Sequence, residues 1–261
     1  FRMKGAMLCL LAAAFGATSA LAGEHIEKTV MILAGANAGF QQATYADDGS
    51  LKVHFEFNDR GRGPKLDSSY TLDAKGLPVT IALKGVDYLK ASVDETFTRS
   101  ADAMTWKNAA EDEKRALVGP AFFLTLNPVP EEDALLARAL LNAPEQQLDL
   151  VPAGRASIRK LASLRVSGKP GERDVDLYAI SGLSLVPGLI WLDRDQRFFA
   201  GYSSWSSLIR EGFEDAIPAI AQRQVEEEKR LAAVRAAELT RTLTAPLLIR
   251  NVRAFDPPAG E

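Results

Sequence analysis

The chain has 261 residues, 47% of them hydrophobic, and carries 31 Lys and Arg against 34 Asp and Glu, for a net charge of −3. This balance argues against nucleic acid as a partner, because nucleic-acid binding normally requires a concentrated basic surface. The length suffices for one sizeable core and the beginning of another.

Residues 1–22 have the pattern of a secretory signal peptide. Lys4 precedes a short apolar stretch, and Ala20-Leu21-Ala22 has the small-x-small form of a cleavage site before Gly23. The apolar stretch is shorter than the roughly 20 residues of a membrane-spanning helix. We therefore expect export, to the periplasm or outside the cell, without a retained membrane anchor. A retained anchor is the alternative.

Removal of this segment changes the charge and the thiol content of the chain. The segment contains Arg2 and Lys4 but no acidic residue, so the net charge moves from −3 to −5. Cys9 is the single cysteine of the chain. The exported fold must therefore be stable without a disulfide.

From residue 30 to about 107 the sequence alternates apolar and polar residues between turn signals. In the clearest strand, one face carries Leu51, Val53, Phe55 and Phe57, and the other carries Lys52, His54 and Glu56. A turn at 47–50 precedes it. Further strands are predicted at 70–73, 79–83, 93–98 and 104–107.

The middle of the chain predicts one buried strand and one helix. The run 121–126 is short and almost wholly apolar, as in a buried strand. Glu131, Glu132 and Asp133 then open a helix that ends before Pro144, because acidic residues favour the positive end of a helix. Leu135, Leu136, Ala139 and Leu140 lie on one face, which we expect to cover the apolar side of the sheet.

A second set of strand signals extends from 156 to 205. Segments 175–180, 188–192 and 197–202 read as strands, whereas 157–166 also suits a helix because apolar residues recur every third position. The serine-rich segment 203–207 is expected to form the last edge of the sheet. The pattern predicts an α+β, mainly β fold: a curved antiparallel sheet or half-barrel with a covering helix, in a domain of residues 23–210.

Residues 211–244 predict a long connector helix. Their composition changes to strong helix formers, and the apolar stripe of Ile217, Ile220, Leu231 and Val234 is thin. A helix this polar is a solvated connector or packs along one seam. Residues 245–261 then begin a new apolar segment.

No convincing catalytic, cofactor-binding or metal-binding residue stands out. The two histidines, His25 and His54, are separated by strands, and zinc sites need several converging ligands. We expect His54 to be solvated or hydrogen-bonded beside Glu56. Ser184 resembles a nucleophile elbow only in part, because Val186 replaces the second glycine.

The three tryptophans, Trp106, Trp191 and Trp205, lie near strand signals. Core packing is the default interpretation. The alternative is that they line a curved sheet that holds an apolar ligand.

Several segments together resemble the N-terminal region of exported bacterial amidohydrolases. The last of them is Leu247 to Asp256, which is similar to the first strand of the β-sandwich that precedes the catalytic barrel of this superfamily. The other segments that carry the resemblance are 57–65, 77–79, 85–90, 93–97, 119–122 and 178–182.

The resemblance implies a metal-dependent hydrolase of C–N or related bonds, truncated before its barrel. The divalent metal, expected to be zinc, its ligands and the catalytic aspartate would then lie beyond Glu261, in a C-terminal amidohydrolase barrel of the same parent chain that acts on a small-molecule substrate. The alternative is a stand-alone periplasmic binding module, lipocalin-like or carrier-type, for an apolar ligand. A purely structural spacer is a third, weaker hypothesis.

Overall fold

The structure, a computed structural model, describes residues 24–253. The predicted signal peptide at 1–22 and the last part of the terminal motif at 254–261 lie outside the described residues. Within residues 24–253, neither helix is both long and apolar enough to cross a membrane.

The strands join into one fifteen-stranded sheet. The first eight, β1 to β8, are His25–Leu33, Ala36–Tyr45, Ser50–Phe57, Lys65–Leu72, Pro78–Val86, Ser92–Arg99, Ala103–Lys107 and Asp112–Ala116. Strand β9 is Ala121–Phe123, and β10 to β15 are Gln147–Val151, Arg155–Gly168, Gly171–Ser181, Gly188–Asp193, Phe198–Tyr202 and Ser206–Arg210. The helices are α1, Pro130–Asn142, and α2, Ile217–Leu239, with short 3₁₀ turns at Pro144–Gln146 and Glu214–Ala216.

The chain builds the sheet from its centre outward and then returns. Strands β1 to β8 form successive antiparallel neighbours, and β9 to β15 then run from the opposite edge until β15 pairs with β1. The pair β9–β10 is parallel. Parallel neighbours need a crossover connection, and α1 provides it. This crossover places α1 against the sheet.

The sheet curls until its two edges approach each other. Phe97 of β6 stacks on Phe123 of β9, with ring centroids 4.3 Å apart. Arg115 of edge strand β8 donates a hydrogen bond of 2.5 Å to the carbonyl of Pro152, just after β10. The mainly β fold class is therefore confirmed: one open, curved sheet with a covering helix and a second long helix.

The main core fills the concave side of the sheet around α1. The predicted apolar face of Leu135, Leu136, Ala139 and Leu140 is buried, and so are Ala134 and Ala137 on its other sides. Because alanine lets neighbouring strands approach closely, the helix is buried on nearly all sides. The helix α1 therefore lies inside the concave side of the curved sheet and is surrounded by strands.

A second core lies between the outer face of β11–β15 and the first half of α2. Its largest buried side chains are Trp191, Phe199 and Phe213. Trp191 Nε1 donates a hydrogen bond of 3.0 Å to Gln224 of α2. Beyond Glu228 the helix is largely exposed, and residues 240–253 contain neither helix nor strand. The helix is thus shorter than the 211–244 of the sequence interpretation, and its first half packs against the sheet.

One β-bulge explains why the strand β11 has helix-like spacing. The register with β12 shifts between Lys160 and Ala162. Before the shift, Ile158 belongs to the concave core, and after it, Ala162 and Val166 belong to the outer core. An extra residue in a strand reverses which side chains face which side. The three-residue spacing therefore reflects a change of face and not a helix.

Candidate functional site

A cavity of about 260 Å³ remains on the concave side at the first turn of α1. Its apolar walls come from five strands: Met31, Phe55, Leu189, Ile190, Phe198 and Leu208. The remaining lining residues are Gly201, Tyr202, Ser203 and Ser206 from β14–β15, with Pro130 and Asp133 from α1. The cavity is thus mainly apolar, with a single carboxylate in its wall.

The carboxylate of Asp133 faces the open space of this cavity. The side chain is accessible there, yet it is surrounded by so much protein that burial raises its pKa to about 6. Burial is the one cause of that shift, so no described residue in the range 24–253 offsets it with a positive charge or a hydrogen bond. The carboxylate is exposed to the cavity and has free acceptor capacity.

The neighbouring acid Glu132 is fully engaged in the core. Its carboxylate accepts hydrogen bonds from Tyr70 Oη at 2.9 Å, from the Thr125 N–H at 2.9 Å and from Thr125 Oγ1 at 2.8 Å. Burial nevertheless raises the pKa of Glu132 to about 7. These contacts tie α1 to β4 and to the segment after β9.

Glu131 connects α1 to β2. Tyr45 Oη donates a hydrogen bond of 2.5 Å to Glu131 Oε1, and Gln41 Nε2 donates one of 3.3 Å to Oε2. The Glu131 N–H in turn donates to Gln41 Oε1 at 2.9 Å. Burial raises the pKa of Glu131. The first turn of α1 is therefore held rigidly, with Asp133 as its one unengaged acid among the described residues.

A charged network lies on the concave face beside Tyr45. Arg210 of β15 contacts Glu27 at 2.6 Å and Asp193 at 3.2 Å, and all three side chains are largely buried. The guanidinium of Arg197 lies 4.8 Å from the centre of the Tyr45 ring. Because these charges compensate one another, we interpret the network as structural.

Aromatic side chains lie beside the cavity where β14 turns into β15. Trp205, in this turn, is 51% exposed and packs edge-on against Phe57 of β3. Phe57 also contacts Phe55, which lines the cavity. Trp106 and Trp191, in contrast, are buried in the core. One of the three tryptophans thus lies near the cavity, and two serve packing.

A larger groove of about 550 Å³ lies between α2 and the β12–β13 loop. Val186, Leu189 and Leu231 contribute apolar walls, and Leu189 also lines the concave cavity. The buried polar group here, Gln224, is fully used: it accepts from Trp191 and donates to the Tyr202 carbonyl and to Glu228. The buried polar group of this groove is thus already engaged, whereas the concave cavity contains an unengaged carboxylate, so we place the candidate site in the concave cavity.

The histidines and the serine considered from sequence are not brought together by the fold. His25 is the first residue of β1 and contacts Glu27 at 2.5 Å. His54 lies on the outer face, 2.7 Å from Asp67 and 3.5 Å from Glu56. Ser184 Oγ accepts a hydrogen bond from Val186 within its own loop. Among residues 24–253, no three His, Cys, Asp or Glu side chains are grouped as a metal site.

Sequence reasoning missed the role of Asp133 and the position of the turn 203–205. The sequence relates the run of three acids to the helix dipole alone, whereas Glu131 and Glu132 are buried in the concave core and Asp133 lines the cavity. The available signal was that acids immediately precede a helix with apolar residues on several faces, which implies a buried first turn. The prediction that segment 203–207 forms the last edge of the sheet is wrong, because Ser206 begins β15, which lies centrally between β14 and β1.

Comparisons with protein-family models and with curated proteins yield no match for this chain. Among solved structures, the chain is similar to a β-barrel-like protein of the domain of unknown function DUF1849 from Brucella abortus. The identity is 13% and the TM-score 0.45, and the similarity covers 72% of this chain and 94% of that chain.

The predicted relation to the amidohydrolases is wrong, as are the hydrolase assignment and the C-terminal amidohydrolase barrel as a partner. The segment that carried the resemblance does not have the structure that it predicts. Leu247, Leu248 and Ile249, which the resemblance made the first strand of a sandwich, form no strand and are 64–70% exposed. A short run of apolar residues with Arg and Asn carries too little information to specify a strand pairing.

Proposed function

We propose that the chain is an exported binding module that holds a small, largely apolar molecule in the concave cavity. The observation that carries this proposal is the combination of an apolar cavity with one unengaged carboxylate, Asp133, in an otherwise packed concave side. Ligand sites typically combine apolar walls with a few polar groups that fix orientation. The signal-peptide pattern of residues 1–22 supports the exported location.

The cavity volume limits the size of the ligand. At about 260 Å³ it lies just below the range of roughly 300–1,000 Å³ of typical small-molecule sites. Because α1 occupies most of the concave side of the sheet, the cavity differs from the hollow interior of a lipocalin-like barrel. We therefore expect a compact molecule, or one end of a longer molecule whose remainder passes Trp205 and Tyr202.

The strands that form the walls favour a preformed site. Phe55, Phe198 and Leu208 belong to three different strands of one hydrogen-bonded sheet, and α1 is fixed by the contacts of Glu131 and Glu132. Because these walls are already ordered, little conformational entropy is lost on binding. The transfer of apolar ligand surface from water into the cavity can then supply the affinity.

Filling the cavity tests the proposal. Ser206→Leu places an isobutyl group at the cavity wall, and Ser69→Leu makes the same change on the exposed outer face of β4 as a control. Binding of 1-hexanol, followed by methyl chemical shifts of the labelled protein, should be saturable in the wild type and in Ser69→Leu, and lost in Ser206→Leu. Absence of saturable shifts at Met31 and Leu208 in the wild type would refute the proposal.

A further inference from the structure

We infer that the molecule held in this cavity carries a protonated amine, which pairs with Asp133 while its apolar part packs between Phe55, Phe198 and Leu208. This inference rests on the proposed function, because it assigns a ligand class to the same cavity. It has three supports: the missing partner of Asp133, the charges around it and the aromatic walls.

Asp133 differs from the other carboxylates of the concave side in having no partner. Buried acids there are each matched by donors or cations: Glu27 by Arg210, Glu95 by the N–H groups of Leu126 and Asn127, Glu131 by Tyr45, and Glu132 by Tyr70 and Thr125. Within residues 24–253, Asp133 has no such match. A carboxylate without a partner in an apolar cavity gains from a ligand group that supplies both charge and hydrogen bonds.

The electrostatics around Asp133 disfavour an anionic ligand. Glu132 is close enough that the charge of Asp133 contributes to raising its pKa. The nearest arginine of the helix, Arg138, contacts Glu131 and the Tyr45 ring. The positive end of α1 is thus already compensated by three acids, and a second anion would be repelled.

The remaining walls add attraction for a cation. The rings of Phe55, Phe198 and Tyr202 line the cavity, and the faces of aromatic rings attract ammonium groups. Lining residues from β1, β3, β13 and β15 carry no charge, and Tyr202 is the other titratable side chain among the lining residues. A neutral alcohol fits the same space but gains neither the ion pair nor the cation–π attraction.

The inference predicts a specific pH dependence of binding. Burial raises the pKa of Asp133 to about 6, so its carboxylate is partly protonated at pH 6 in the empty cavity. An ammonium group stabilises the ionised form and lowers that pKa. Amine binding should therefore strengthen from pH 5 to pH 7.5 and release protons at pH 6, whereas alcohol binding should change little.

Three ligands with the same six-carbon chain separate the possibilities: n-hexylamine, 1-hexanol and hexanoate. At pH 7.5 we expect the wild type to bind the amine about tenfold tighter than the alcohol, and hexanoate most weakly. Asp133→Asn should abolish the preference for the amine and leave alcohol binding unchanged. Asp94→Asn, the same change on the exposed outer face of β6, should preserve it.

The two proposals fail in different ways. If none of the three ligands binds, the proposed function fails. If the alcohol binds as tightly as the amine, or if Asp133→Asn keeps the preference, the amine inference fails while the cavity remains a binding site. Calorimetry of the wild type with n-hexylamine at pH 6, in two buffers of different ionisation enthalpy, needs no variant: proton release supports the inference, and none overturns it.

Discussion

Tyr70 of β4 and Glu132 of α1 form a buried hydrogen bond of 2.9 Å, although 62 residues separate them in the chain. The bond joins the first half of the sheet to the crossover helix and fixes the first turn of α1, which bears Asp133 on its cavity side. The same turn is tied to β2 by Tyr45 and Glu131. The geometry of the cavity therefore depends on side chains that do not line it.

Removal of the Tyr70 hydroxyl should destabilise the fold. Tyr70→Phe removes one of the two donors to Glu132 Oε2 and leaves Thr125 Oγ1 as the other, at an expected cost of about 1–3 kcal/mol in the free energy of unfolding. Tyr88→Phe is the control, because Tyr88 donates to Asp59 in a loop that water reaches. Urea denaturation should show a large loss for the first variant and under about 0.5 kcal/mol for the second. Equal losses would contradict the assigned role.

Stability should fall as the pH rises from 5 to 8. Burial raises the pKa of Glu132 to about 7 and that of Asp133 to about 6, so the folded protein binds these protons more tightly than the unfolded chain does. Glu132, which is 1% exposed, dominates the effect, because solvent screens the exposed Asp133. The stabilisation that these bound protons contribute is fully present below the pKa values of the unfolded chain. It is lost as the pH rises through the folded-state pKa values of about 6 to 7. The slope for one group is at most about 1.4 kcal/mol per pH unit.

Glu132→Gln is the matched variant for this pH dependence, since an amide resembles the protonated carboxyl group and keeps an acceptor for Tyr70. Urea denaturation at several pH values should give a flatter profile for the variant than for the wild type. A wild-type stability that stays constant or rises between pH 5 and 8 would contradict the raised pKa values.

The ion pairs of Arg210 with Glu27 and Asp193 should stabilise the fold. Arg210→Met leaves the buried Asp193 without its cation, whereas Glu27 keeps Arg197 at 3.2 Å, and breaking a buried pair in this way typically costs about 3–5 kcal/mol. Lys107→Met removes an exposed pair with Asp112 instead, which is worth about 0–1 kcal/mol. Thermal unfolding of both variants measures the contrast, and similar stabilities would refute it.

The stack of Phe97 on Phe123 should hold the two edges of the sheet together. Phe123→Ala removes this contact and the one with Trp106, which lies 5.7 Å away between ring centroids. We expect a loss of about 3–5 kcal/mol in the free energy of unfolding. The control, Val118→Ala, changes a side chain that is 95% exposed and should have almost no effect. If Phe123→Ala is as stable as this control, the aromatic stack does not hold the two edges of the sheet together.

Local patterns predicted much of this fold. The alternation of Leu51, Val53 and Phe55 identified a strand with one buried face, and the acids before Leu135 identified the start of α1 to within one residue of Pro130. Both signals arise from residues close together in the chain, where the period of the backbone determines the pattern.

The remainder depends on contacts between distant parts of the chain. The central position of β15 follows from its pairing with β1, for example Ile209 opposite Val30, which no local pattern contains. The bulge after Lys160 produced a spacing that also fits a helix. The cavity position of Asp133 requires both the crossover of α1 and the curl of the sheet, so composition alone assigned it to the helix dipole.

Methyl chemical shifts of Met31, Leu208 and Leu231 during titration with n-hexylamine test the central claim most directly. Met31 and Leu208 line the concave cavity, and Leu231 lines the groove under α2. We predict saturable shifts at Met31 and Leu208, none at Leu231, and loss of the shifts in Ser206→Leu. Shifts confined to Leu231, or none at any of the three methyl groups, would contradict a binding site on the concave side.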